Sequence, residues 1–203
     1  MNEISVPPSS GTILVLNGAS SSGKTTLVHA LQDLLPEPFV DAGLDRFLWM
    51  LPRRYLERPL WDGVLGRATE AGPDGRRLIL GMHRAIQSLS LAGINVVADH
   101  VLVDEAWLHD CASLFAPLPA YLIGLRCPLE VLEQREQLRR DRTLGQARAQ
   151  HALVHARAVY DLEMDTSLCT PEECAAQVAA LLQSGMPPRA FRNLACVARA
   201  TKC

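Results

Sequence analysis

The chain has 203 residues, 48% of them hydrophobic and 21% charged, with a formal net charge of -2. That length suits one domain with a real core, and the near-neutral balance speaks against a nucleic-acid surface and against a disordered acidic chain. No apolar run reaches the roughly 18 residues of a membrane span, and the opening stretch MNEISVPPSSG lacks the basic and apolar parts of an export signal, so the cytoplasm is the expected location.

The first predicted element is a strand from Thr12 to Asn17, a continuous aliphatic run of the kind buried in a central parallel strand. It runs straight into GASSSGKT, residues 18 to 25, which fits the pattern G-x-x-x-x-G-K-[ST]. A loop of this kind curls so that successive N–H groups point inward at phosphate oxygens, and the helix after it turns its positive dipole end to the same anion. Gly18, Ala19, Ser20, Ser21, Ser22, Gly23, Lys24, Thr25 and Thr26 are therefore the expected binders of a nucleoside triphosphate. Lys24 would reach the β- and γ-phosphates, and the Thr25 hydroxyl would ligate Mg²⁺. A helix from Lys24 to Leu35 follows, ended near Pro36.

A short strand is expected at Phe39 to Ala42, and the segment DAGLDRFLWMLP comes after it. Ligands of such sheets bind beyond the carboxyl ends of the strands. Asp45 lies where an acceptor would sit, and a carboxylate there can orient a hydroxyl and take its proton. It would serve equally well as the N-cap of a helix over RFLWML. Asp41 is a weaker candidate for the same work. Phe47, Trp49, Met50, Leu51, Tyr55 and Trp61 could wall an apolar acceptor pocket or simply pack a core. Arg53 and Arg54 would suit an anionic acceptor or solvent.

Residues 76 to 93 read as a helix, with Leu78, Met82, Ala85, Ile86 and Leu89 on one face. INVVADH is the third strand. It ends on Asp99, the usual place for a second acidic group near Mg²⁺, with a capping carboxylate as the plain alternative. His100 could touch substrate, though a lone histidine is more often structural. A helix from Asp104 to Phe115 leads to AYLIGL, the fourth strand, and Pro128 suits the first turn of the next helix. Arg135, Arg139, Arg140 and Arg142 then crowd into a segment that would form a lid over the nucleotide, at about 135–148. Their guanidinium groups would neutralise the transferring phosphoryl, with Arg135 and Arg142 foremost. The neighbouring Glu133, Glu136 and Asp141 argue that some of these arginines are structural. Arg126, ending the fourth strand, could also point into the site.

YDLEMDTS is a plausible fifth strand, and Thr170, Pro171 and Glu173 make a capping-box start to the last strong helix. The domain is expected to span residues 1–185. Residues 186–203 then form a basic tail, expected to be loosely ordered. The six cysteines, Cys111, Cys127, Cys169, Cys174, Cys196 and Cys203, show no metal-ligand spacing and read as reduced thiols.

Strand-like runs alternating with helices argue for a parallel α/β sheet. GTPases carry N-K-x-D for base recognition, and that motif is absent. The small size and the spread of candidate groups over several strand ends favour a kinase of small molecules. LNGASSSGKTTL, LPEPF…GLD, VVADHV, GLRCPLEVLEQRE, RDRTLGQA and VHARAVYDLEMDTS together resemble the chloramphenicol phosphotransferase-like family of P-loop kinases. The resemblance runs from about Ile13 to Leu182. It implies a three-layer P-loop kinase fold with a five-stranded parallel sheet flanked by helices. It also implies an ATP-dependent enzyme that phosphorylates a hydroxyl of chloramphenicol or a similar small alcohol. The family's proposed catalytic aspartate, in its G-x-D segment after the second strand, falls on Asp45. Two alternatives stay open: a kinase of another acceptor, such as the nucleotide sugar of a zeta-type toxin, and a non-catalytic nucleotide-binding regulatory module.

Overall fold

The aliphatic run at the head of the chain becomes the middle of the sheet, as its burial requires. The structure, a computed structural model, describes residues 9–57, 71–138 and 144–200. Its strands are β1 (Ile13–Asn17), β2 (Phe39–Asp41), β3 (Asn95–His100), β4 (Ala120–Arg126) and β5 (Leu162–Asp165). They form one parallel sheet in the order β2-β3-β1-β4-β5. β1 lies between β3 and β4, with Ile13 opposite both Val96 and Ala120. The helices are α1 (Lys24–Leu34), α2 (Leu44–Leu48), α3 (Pro73–Leu91), α4 (Glu105–Phe115), α5 (Leu129–Leu138), α6 (Gln146–His151), α7 (Pro171–Gln183) and α8 (Ala190–Ala200), with a 3₁₀ turn at Arg53–Leu56.

Successive strand residues face opposite sides, which divides the core in two. Leu14 and Leu16 meet Leu27, Val28 and Leu31 of α1 and Cys174, Ala175 and Val178 of α7. Ile13 and Val15 join Ile79, Met82 and Ile86 of α3 and Trp107, Leu108 and Phe115 of α4. The expected capping box is present: Glu173 N–H donates to Thr170 Oγ1 and Thr170 N–H to Glu173 Oε2. Among the described residues no helix is long and apolar enough to cross a membrane. Their five cysteines are all free.

Two expectations change. α3 starts at Pro73, three residues before the predicted start, because Gly72 and Pro73 form its N-terminus. The C-terminal segment is the larger correction. Expected to be loosely ordered, it forms α8 instead, with Ala190 and Phe191 each 1% exposed. The ring of Phe191 meets Phe115 edge-on at 5.4 Å between centroids. Asp161 fastens the helix start: its Oδ1 accepts from the N–H groups of Arg189 and Ala190, while its Oδ2 accepts from Leu122 N–H of β4. The basic residues drew the eye in the sequence, and the apolar pattern Ala190, Phe191, Leu194 decided the structure. Replacing Phe191 with alanine is expected to cost about 3–5 kcal/mol, the range for emptying a buried aromatic site. Urea unfolding of parent and variant measures it, and a difference under 1 kcal/mol would return the segment to a tail.

Candidate active site

The strand order reverses at β1, between β3 and β4, and the crevice above the carboxyl ends of the strands opens there. The phosphate loop fills it. Gly18 is required for room: a Cβ there would meet Ser22 Oγ at 2.5 Å and the Leu125 carbonyl at 2.8 Å. Gly23 adopts φ 85°, open to glycine, and starts α1. Ser21 has φ 64°, a left-handed conformation that a serine holds only under constraint from its surroundings.

The loop contains polar groups in need of a partner. The hydroxyls of Ser20, Ser21 and Ser22 are buried with no hydrogen bond in the structure. Three orphaned hydroxyls around one curl of main chain are costly unless an anion or water completes them. Lys24 is 8% exposed, and its Nζ donates to the carbonyls of Gly18 at 2.8 Å and Ala19 at 2.7 Å. A buried ammonium, unpartnered hydroxyls and a helix N-terminus together fit a polyphosphate.

Thr25, the next residue, faces β3. Its hydroxyl donates to Asp99 Oδ2 at 3.4 Å, a long bond. The other oxygen of Asp99 lies against Gly43, where a Cβ would fall 1.9 Å from Asp99 Oδ1. A side chain at position 43 would force Asp99 or the turn itself to shift. Asp41 holds the same turn, accepting from Gly43 N–H at 3.0 Å and from Arg46 Nε at 2.7 Å. Gly43 is the N-cap of α2, so Asp45 sits inside the first turn and not at the cap position weighed for it. A carboxylate there is favoured by the helix dipole. The hydrogen bond to Asp41 raises the Arg46 pKa, with further support from the charges of Asp41, Asp99 and Asp45. Asp41 pairs with Arg46 directly, and the charges of Asp99 and Asp45 add to it at longer range.

The lid arginines divide. Arg142, with Arg139 and Arg140, lies outside the described residues. Arg135 of α5 donates to the Thr166 carbonyl at 2.8 Å and approaches Thr166 Oγ1 and Cys127 Sγ, so it ties α5 to the loop after β5. Arg126 is paired with Glu163. The expected aromatic wall also divides. Phe47, Leu51 and Tyr55 line a cleft of about 640 Å³ against Leu78 and Gly81 of α3. Trp49 and Met50 are 72% and 73% exposed, and Trp61 lies outside the described residues.

Sequence reasoning missed a cluster beneath the site. His83, His100 and Cys111 are fully buried, and their ligand-type atoms lie within 4.8 Å of one another, a composition able to hold a metal ion. The hydrogen bonds point elsewhere. Val101 N–H donates to His100 Nδ1 at 2.8 Å, so the His100 proton sits on Nε2 and is donated to His83 Nε2 at 2.9 Å. His83 then donates from Nδ1 to Asp110 Oδ2 at 2.8 Å. The chain closes with both rings neutral, and the protonated His100 Nε2 has no lone pair left for a metal. His100 is therefore a structural histidine. No spacing rule could find this set, because it joins α3, β3 and α4.

Burial lowers the pKa of His83 and pushes that of His100 further down, where the neighbouring His83 adds to the effect. Burial also lowers His155 to about 4. Unfolded, all three would titrate near 6.5. Below that pH the unfolded chain takes up protons that the folded chain refuses, so stability falls as pH drops from about 6.5 and is unaffected by these groups above it. Each group adds up to about 1.4 kcal/mol per pH unit. Urea midpoints between pH 5 and pH 7.5 should show this slope, and His83→Gln should flatten it. A midpoint independent of pH over that range would refute the neutral pair.

A phosphate loop at the switch point of a β2-β3-β1-β4-β5 parallel sheet, with carboxylates at the neighbouring strand ends, defines a P-loop kinase, and one built for small molecules. A sequence model of the family described as "Chloramphenicol phosphotransferase-like protein" matches residues 11–183, and the chain belongs to that family. A Mycobacterium tuberculosis (strain H37Rv) relative, "Putative O-phosphotransferase Rv2636", is 34% identical over 197 residues, covering 91% of this chain and 88% of that protein. Among solved structures, an unliganded sugar kinase from Janibacter sp. HTCC2649 superposes with a TM-score of 0.65 at 18% identity, covering 85% of this chain and 95% of that one. The APS kinase of Mycobacterium tuberculosis, in complex with AMPPNP and APS, gives 0.61 at 16% identity, with coverage of 87% and 99%.

Proposed function

We propose that this kinase is an ATP-dependent O-phosphotransferase whose acceptor is a hydroxyl of a small molecule, chloramphenicol or a similar alcohol. The observation that carries the reading is one chain of contacts at the carboxyl end of the sheet. Thr25 of the phosphate loop meets Asp99, Asp99 packs on Gly43, and Gly43 starts the helix that bears Asp45. Donor-side and acceptor-side groups are thereby fixed to one another through backbone and carboxylates.

Bound ATP supplies the phosphoryl group, and Mg²⁺ held by Thr25 and Asp99 would neutralise charge on it. The residues of the chain do the rest. The hydroxyls of Ser20, Ser21 and Ser22, with Gly23, Lys24 and Thr26, hold the polyphosphate. Lys24, once turned from the carbonyls of Gly18 and Ala19, offers its ammonium to the transferred group. Asp45 orients the acceptor hydroxyl and takes its proton at a carboxylate oxygen. The cleft lined by Phe47, Leu51 and Tyr55 offers an apolar surface close to Asp45 in sequence, suited to an aromatic or aliphatic alcohol. Arg135 and Arg142 belong to the segment assigned to closing over the nucleotide and excluding water.

The test is an ATP-consumption screen over hydroxylated antibiotics and metabolites, chloramphenicol included, with the phosphorylated product identified by mass spectrometry. Acceptor-dependent turnover with phosphate on a hydroxyl supports the reading. ATP binding without turnover of any acceptor class would remove it.

A further inference from the structure

One contact of the phosphate loop has no part in the chemistry above. The N–H of Ser20 donates to Gln150 Oε1 at 2.7 Å, across 130 residues of sequence. Gln150 is 7% exposed and lies on α6. The segment carrying it is held on every side. Glu136 of α5, 2% exposed, accepts from Gly145 N–H at 2.8 Å with Oε2 and from Ala147 N–H at 2.9 Å with Oε1, which binds the start of α6 to α5. Ala147, Val154 and Leu132 pack with Ala19 of the phosphate loop. Beyond α6, the Val154 carbonyl accepts from Asn17 Nδ2 at 2.8 Å, at the end of β1. The backbone that carries Gln150 is thus fixed to α5 and to the end of β1.

The residue after Ser20 is the one non-glycine at positive φ among the described residues. A bond that fixes the Ser20 peptide therefore restrains the curl where it is most strained. We infer that Gln150 is a positioning residue of the phosphate loop: its amide oxygen holds the Ser20 N–H so that the loop is shaped for polyphosphate before nucleotide arrives, and it couples α6 to that loop. The inference rests on the nucleotide reading above. Without the Gln150 oxygen, the loop populates other curls, and apparent affinity falls by the fraction that remains competent.

The test is calorimetric titration of the full chain with Mg·AMP-PNP. Gln150→Met should weaken binding about tenfold, the effect of a competent fraction near one in ten, with little dependence on salt. Amide hydrogen exchange of the nucleotide-free chain reads the bond itself: the Ser20 N–H should be protected in the parent and exchange faster in Gln150→Met. Rapid exchange at Ser20 in the parent would overturn the proposal, a measurement that needs no variant to fold. A packing defect alone would lower the affinity of Gln150→Met with Ser20 still protected, and would count against the proposal. Gln150→Met binding as tightly as the parent, or more tightly, overturns it, the second outcome meaning that Gln150 obstructs the loop. Lys24→Ala serves as the control. A parent chain that binds no nucleotide defeats the nucleotide reading first, and this inference with it.

Discussion

Asp45→Asn is expected to lower acceptor turnover by about 10²–10⁴-fold, the usual contribution of a positioned general base, while nucleotide affinity stays near that of the parent. The separation follows from where the residue stands. Asp45 lies in the first turn of α2, and the groups assigned to the polyphosphate lie on the loop after β1. Asparagine keeps the size and one acceptor oxygen but cannot take a proton. The fold should survive, since the residue stands on a five-residue helix and a carboxylate in its first turn is worth about 0.5 kcal/mol through the helix dipole. Steady-state kinetics with the acceptor found by the screen, beside titration with Mg·AMP-PNP, gives both numbers. Turnover at the parental rate would take the base role from Asp45. Asp99 is a poor substitute, because it faces Thr25 of the phosphate loop and is the carboxylate assigned with Thr25 to Mg²⁺.

Lys24→Ala should have the larger effect on the donor side. The ammonium makes two charge-assisted bonds across the loop, to the carbonyls of Gly18 and Ala19. Charge-assisted bonds of this kind are worth about 1.5–3 kcal/mol each. Truncation removes a restraint on the loop and the one positive side chain within the motif. Affinity for Mg·AMP-PNP should fall by about 10²-fold, near 2.7 kcal/mol, and turnover by about 10³-fold or more as the stabilisation of the transferred group is lost. Titration and turnover assays on the same preparation separate the two losses. A variant that binds and turns over like the parent would show that the loop works through its backbone alone.

The two variants differ in a further respect. Lys24 is nearly buried and its bonds lie within the loop, so Lys24→Ala should also soften the free protein. Asp45 is half-buried on a five-residue helix, and its replacement should leave the unfolding midpoint within the ordinary spread of surface changes.

Some of this was legible along the chain because it is local. GASSSGKT announces its curl through its glycines and the helix that follows, and the continuous aliphatic run TILVLN reads as a strand buried on both faces. Thr170 and Glu173 cap their helix across three residues. Asp45 and Asp99 were found as candidates because each stands just past or at the end of a readable strand. Packing was needed for the rest. Whether Asp99 meets Thr25 depends on β3 lying beside β1, and no local rule says that the third strand, and not the second, takes that place. The bond from Gln150 to Ser20, the histidine chain from Asp110 to His100 and the anchoring of α8 by Asp161 each join groups distant in sequence. A run of residues carries its own dihedral preferences and periodicity. Which buried donor finds which acceptor is settled only when the helices close over the sheet and bring groups distant in sequence within reach of one another.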